Sequence, residues 1–169
     1  ISCRMKLSFL ILCLMIICSC STKVRTELSD GEYKIEHFIN DSIKQGKSTI
    51  YFSNGKVQRI INYRNNVING KMKFYHNNGN LASKTIFKDG IVKDKFYNFH
   101  LNGKPYNTYV FKDNKLSDIE NCFDGNSNKL DCGTLHQGNG TIKQYDLSGK
   151  LIAVDYMKNG KYQKTDSIN

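Results

Sequence analysis

The sequence predicts an all-β fold, an elongated, twisted antiparallel meander of about eleven strands built from β-hairpin repeats of about 24 residues. Three observations carry that prediction. Asn-Gly recurs at 54–55, 78–79 and 102–103, a spacing of 24, and Asn-Gly between alternating apolar residues is the strongest short-range hairpin signal. The type I′ turn expected there needs positive φ at both central residues. A second turn falls eleven residues after each glycine, at Asn65-Asn66, Asp89-Gly90 and Asp113-Asn114, which leaves strands of about eight residues, an ordinary length. Ten Tyr, nine Phe and thirteen Gly stand beside one Pro and no Trp, a balance suited to a sheet with many tight turns.

Residues 1–19 read as a signal peptide, with Met5 as an alternative start. Lys6 precedes an apolar run from Leu7 to Cys18 broken only by Ser8, too short for a span of roughly 20 apolar residues. The run ends in Ile17-Cys18-Ser19-Cys20, which resembles the bacterial lipobox. That resemblance implies cleavage after Ser19, acylation of Cys20 and a place in the envelope of a bacterium, facing the periplasm or the cell surface. Two or more acyl chains, such as palmitate, hold a protein at a membrane stably where one alone does not. Residues 20–30 are polar, with no apolar period, and read as a lipid-anchored tether.

The repeat sheet spans 31–162. Counting from each turn glycine, a glycine lies nine before, as Gly46 and Gly70; an aromatic lies four before, as Tyr51, Tyr75 and Phe99; a second aromatic lies eight after, as Tyr63, Phe87 and Phe111. Gly31 lies 24 before Gly55 and opens a half-repeat over Glu32 to Ile39. One period after Gly103 comes Asn126-Ser127-Asn128, a degenerate fifth copy; a final copy carries Gly140, Tyr145, Ser148-Gly149 and Tyr156. Residues 163–169 read as a flexible polar tail.

This run of glycine, aromatic, Asn-Gly-Lys, apolar residue, aromatic and Asp-Gly resembles the MORN-variant repeat, most clearly over Gly46-Lys47 to Tyr63 and Gly70-Lys71 to Phe87. Asp94 and Asp118 replace the leading glycine and Pro105 follows a turn, so those copies are expected to bulge or bend. The aromatics recur at fixed offsets and are expected to stack as neighbouring rungs. Tyr51, Tyr63, Tyr75, Phe87, Phe99 and Phe111 are thus the candidate binding positions on the strand faces.

Cys122 and Cys132 are symmetric about 127, the turn of the fifth copy, so they are expected to face each other and form a disulfide, worth roughly 2–3 kcal/mol for so short a loop. The histidines, at 37, 76, 100 and 136, occupy different offsets, although His76 and His100 each precede a turn glycine by three. They read as surface imidazoles, and no catalytic set, metal site or cofactor loop emerges. Residues 20–169 hold 23 basic and 15 acidic side chains, spread rather than blocked, which argues against nucleic acid. The first reading is a membrane-anchored binding or scaffolding module, not an enzyme, with a protein or envelope-surface partner. An alternative follows from the repeat resemblance, namely an antitoxin-like or immunity protein that neutralises a partner effector.

Overall fold

A computed structural model describes residues 21–93 and 95–168, all β apart from a single 3-10 turn at Ser29–Gly31. The signal segment and Cys20 lie outside the described residues. An 11-stranded sheet comprises β1 (Ser21–Glu27), β2 (Tyr33–Ile39), β3 (Ile43–Lys44), β4 (Gly46–Tyr51), β5 (Val57–Arg64), β6 (Val67–Tyr75), β7 (Leu81–Lys88), β8 (Ile91–Val92), β9 (Lys95–Phe99), β10 (Pro105–Lys112) and β11 (Lys115–Glu120). Its strands pair antiparallel in chain order, with β3 and β8 as short arms beside β2 and β7. A 3-stranded sheet follows, of β12 (Gly140–Tyr145), β13 (Leu151–Lys158) and β14 (Lys161–Ser167).

Two segments differ from their sequence reading. Ser21–Glu27, expected as a tether, is strand β1, paired with β2 over its whole length. Lys161–Ser167, expected as a mobile tail beyond 162, pairs with β13. Both strands are exposed throughout, so their side chains carry no apolar period; backbone pairing places them, helped by Arg25 over the Tyr33 ring and Lys164 over the Tyr156 ring.

The two turns of each repeat have different backbones. At the turns 54–55, 78–79 and 102–103 only the glycine has positive φ, +79° at Gly55, +97° at Gly79 and +83° at Gly103. Gly55 N–H donates to Phe52 O at 2.9 Å and Phe52 N–H to Lys56 O at 2.9 Å. This is a type I turn closed by a left-handed residue, the three-residue hairpin loop, and it corrects the type I′ expectation. The same pair of bonds recurs at 76–80, 100–104, 124–128 and 146–150, and at 124–128 Ser127 takes the left-handed place with φ +75°. The I′ geometry sits instead at the second turns, where Asn65-Asn66, Asp89-Gly90, Asp113-Asn114, Gln137-Gly138 and Asn159-Gly160 have positive φ at both residues.

Asn is selected at the first turn by its side chain. Oδ1 of Asn54, Asn78 and Asn102 accepts the N–H two residues on, at 3.0, 2.9 and 3.1 Å. The amide of Asn78 donates to Leu101 O and that of Asn102 to Gly125 O, each at 2.8 Å, so one turn is tied to the next. His76 and His100 each place Nε2 at the backbone of the following copy, on Phe99 O at 3.1 Å and Phe123 O at 2.8 Å. Register shifts follow the turns at Ile50/Tyr51, Phe74/Tyr75, Pro105/Asn107 and Gln144/Tyr145. Bulging therefore also accompanies the regular hairpins at Ile50/Tyr51 and Phe74/Tyr75, not only the copies with Pro105 or a lost glycine, and each bulge increases the local twist.

Direct cross-strand partners share a face. Ser48, Ile61, Met72 and Thr85 form one row, and Ser48, Ile61 and Thr85 are buried. Small Ser83 and Thr85 on β7 let Phe74 and Phe96, on the strands either side, approach to 6.4 Å between ring centroids. The repeated aromatics do not stack on their counterparts in the next copy among the described residues. Equivalent positions lie two strands apart, about 9.5 Å between backbones, a gap that rings close only over small side chains such as Ser83 and Thr85. Tyr51 stacks instead on Tyr33, its direct partner, at 4.5 Å.

The Cys122–Cys132 disulfide is present, with Cα atoms 5.4 Å apart. Its geometric basis differs from simple symmetry. Asp124 N–H donates to Asn128 O and Phe123 bridges Lys129, which centres the hairpin on Asn126 rather than Ser127. Leu130 N–H donates to Cys122 O, and the ladder ends there, which frees Cys132 to reach Cys122. Cys132 O in turn accepts Lys143 N–H from β12 at 3.0 Å. The disulfide thus stands where the two sheets meet. Tyr106 reaches the same junction: its hydroxyl donates to Gln144 Oε1 at 2.9 Å and accepts Tyr145 N–H at 3.1 Å.

Candidate functional site

The face opposite Ile61 and Thr85 carries a lysine-rich groove over β6, β7 and β9. Lys73 on β6 is the direct partner of Lys84 on β7, and Lys84 is the direct partner of Tyr97 on β9. One step along, Lys71 faces Ile86, whose carbonyl accepts Lys93 N–H at 2.9 Å. The groove has a volume of about 530 Å³, and Lys95 completes its lining. Ile86 and Tyr97 stay open within it, at 49% and 38% exposure.

A directly opposed lysine pair costs stability, because the charges are held about 5 Å apart at their Cβ atoms. The fold does not demand it. The positions 24 earlier are occupied by Thr49 opposite Ile60, and those 24 later by Tyr97 opposite Thr108. Two other opposed lysine pairs, Lys112/Lys115 and Lys158/Lys161, flank two-residue turns at strand ends, where all four side chains are exposed. Lys73 and Lys84 lie mid-sheet. No carboxylate among the described residues comes within ion-pair distance of Lys71, Lys73, Lys84 or Lys93. Lys95 is held by Glu120, Nζ to Oε2 at 2.9 Å. The ammonium of Lys84 lies 5.3 Å from the Tyr97 ring centroid and 5.5 Å from that of Phe99, which steadies its position over the sheet.

The six aromatic candidates divide between the two faces, and all are half-buried. Tyr51, Tyr75 and Phe99 lie on the lysine face, two residues beyond Thr49, Lys73 and Tyr97 along their strands; Tyr63, Phe87 and Phe111 lie on the other. Phe99 alone of the six touches a groove lysine. Tyr63 receives the ammonium of Lys44, 5.3 Å from its centroid. Lys73 and Lys84 themselves went unrecognised in the sequence because the basic residues look dispersed along it, yet a signal was there: the two sit symmetrically about Asn78-Gly79.

Among the described residues no group of three or more His, Cys, Asp or Glu could hold a metal ion. His136 Nδ1 lies 2.8 Å from Asp118 Oδ1. The Ser117 hydroxyl and then His136 donate to Asp118 and hold its carboxyl below the usual range. Burial pushes the Tyr106 and Tyr109 phenols up. These groups belong to the junction of the sheets rather than to the groove.

Residues 44–65 and 68–89 match the MORN repeat variant family. Each match covers one hairpin, β4–β5 and then β6–β7, and Lys73 and Lys84 both fall in the second. The match is confined to these two hairpins, and the hydrogen-bonded turns at 100–104, 124–128 and 146–150 share the local geometry of the turns within it. No curated protein matches the chain.

Proposed function

We propose that the chain is a repeat-based binding module, anchored to a bacterial envelope membrane through acylated Cys20, whose lysine face meets the partner. The observation that carries the reading is the mid-sheet Lys73–Lys84 pair: a stability cost with no compensating carboxylate among the described residues, at a position where neighbouring copies are neutral. Anchoring is supported by the Ile17-Cys18-Ser19-Cys20 run. β1 begins at Ser21, directly after the acylated residue, so anchoring would hold the sheet edge at the membrane without an intervening tether. The partner is a protein or another envelope component.

The test uses the full chain expressed with its own signal segment. Cys20→Ser is expected to move it from the membrane pellet to the soluble fraction, and retention in the pellet refutes the anchor. A photo-crosslinking residue at Ile86 is expected to give a discrete adduct that K73Q/K84Q removes. An adduct indifferent to those substitutions refutes the lysine face as the binding surface.

A further inference from the structure

We infer that the Lys73–Lys84 groove binds an extended acidic segment of a partner polypeptide. The inference rests on the binding-module reading and names the chemistry of the partner. Lys71 and Lys73 stand two apart on one strand and point to one face, a repeat of about 6.6–6.8 Å. An extended peptide presents alternate side chains at the same interval, so acidic residues at every second position match the lysines along β6. Lys84 adds positive charge one strand over, and Lys93 flanks Ile86 on the far side. The exposed faces of Ile86 and Tyr97, set among these charges, suit apolar side chains interleaved with the acidic ones. A compact phosphate headgroup would engage neither the spread over β6, β7 and β9 nor the apolar patches.

Charge narrows the occupant. The chain carries a net charge of +10, and residues 1–20 contain Arg4 and Lys6 but no Asp or Glu. A second copy or the chain's own amino terminus would bring positive charge to a positive groove. All five lining cations are lysines rather than arginines, and with Lys95 held by Glu120 it is Lys71, Lys73, Lys84 and Lys93 that offer point charges to carboxylates, without the bidentate fork that fixes planar ligands. Recognition by spacing and charge is the result.

The test measures binding of a fluorescein-labelled octapeptide alternating Glu and Val to the full chain in detergent micelles. A Gln/Val octapeptide and phosphatidylcholine vesicles containing phosphatidylglycerol serve as comparisons. Glu/Val binding that weakens as salt rises is expected. K73Q/K84Q should weaken it about tenfold, about 1.4 kcal/mol. K158Q/K161Q removes the same charge from another opposed pair and should leave binding unchanged.

Equal binding of the Gln/Val peptide overturns the inference, as does equal loss in the two double variants. Lysine-dependent vesicle binding that displaces the peptide also overturns it and makes the groove a lipid site. If no peptide binds but the Ile86 crosslink persists and needs Lys73 and Lys84, the acidic-segment assignment fails while the binding-module reading stands. If neither appears, both fail.

Discussion

Reduction of the Cys122–Cys132 bond should lower stability by about 3 kcal/mol, the loop-entropy value for a closure of this length. The two cysteines are separated by 10 in sequence, so the closed loop is short and its entropy term is near the low end for disulfides. For a chain of this size 1 kcal/mol corresponds to about 2–4 °C, which puts the drop in melting midpoint at about 6–12 °C. Reduction of the wild type is the cleaner perturbation. A Cys122→Ala/Cys132→Ala variant also deletes a sulfur from Cys122, which is 1% exposed, and so adds a packing loss. The effect should be local. Leu130 N–H and Lys143 N–H bond to the carbonyls of Cys122 and Cys132, and their hydrogen exchange should accelerate before that of β5–β7. A midpoint unmoved by reduction would show that Asp124 and the surrounding backbone bonds already hold this copy. Uniform acceleration across β5–β7 would show that the bond does not act at the junction.

Tyr106→Phe removes both hydroxyl bonds to β12 and should cost about 1–2 kcal/mol; unchanged exchange at the Tyr145 amide would refute that docking role. Asn78→Ala removes the acceptor within one turn and the bond to the next, and should cost about 1–2 kcal/mol in denaturant titration. Burial alone would raise the Glu36 carboxyl, but hydrogen bonds from Lys34 and Lys44 outweigh it and hold it low. Glu36→Gln should therefore destabilise by about 1–3 kcal/mol at neutral pH. Asp124 is held low by the Asn128 side chain and Asp146 by the Ser148 hydroxyl, each with help from backbone N–H groups. Because these folded values lie below the unfolded Asp value of about 3.9, their contribution is complete above that pH and fades as the pH falls through the folded values. Exchange at the 124–128 and 146–150 turns should accelerate only in acid, and a loss beginning near neutrality would refute the assignment.

Fixed offsets made the strands and most turns legible in the sequence. The Asn-Gly dipeptide suits two turns equally well as composition, since either requires a left-handed glycine; the φ of the Asn and the Phe52, Gly55 and Lys56 backbone bonds distinguish them. β1 and β14 were illegible because an exposed edge strand has no buried side to impose alternation. The aromatic row misled because chain periodicity was equated with spatial adjacency, whereas a meander places an intervening strand between successive copies. The groove was readable in part: a hairpin centre at Asn78-Gly79 brings Lys73 opposite Lys84. What the sequence could not supply was the neighbourhood, that Glu120 attends Lys95 while no carboxylate reaches Lys73 or Lys84 among the described residues.

A repeat meander has an outermost strand with unpaired backbone groups, and such an edge can template a second chain. Past β11 that opportunity is partly closed by the degenerate copy. Ser117 O accepts Gly138 N–H at 2.7 Å and Gly138 O accepts Gly160 N–H at 2.9 Å. The approach is close enough that a Cβ on Gly138 would meet Gly160 N at 2.6 Å. The copy that lost its Asn-Gly and gained two cysteines thus interrupts the ladder beyond β11, occupying backbone groups that another identical repeat would use, and leaves the exposed strands β1 and β14 as the outer edges of their sheets.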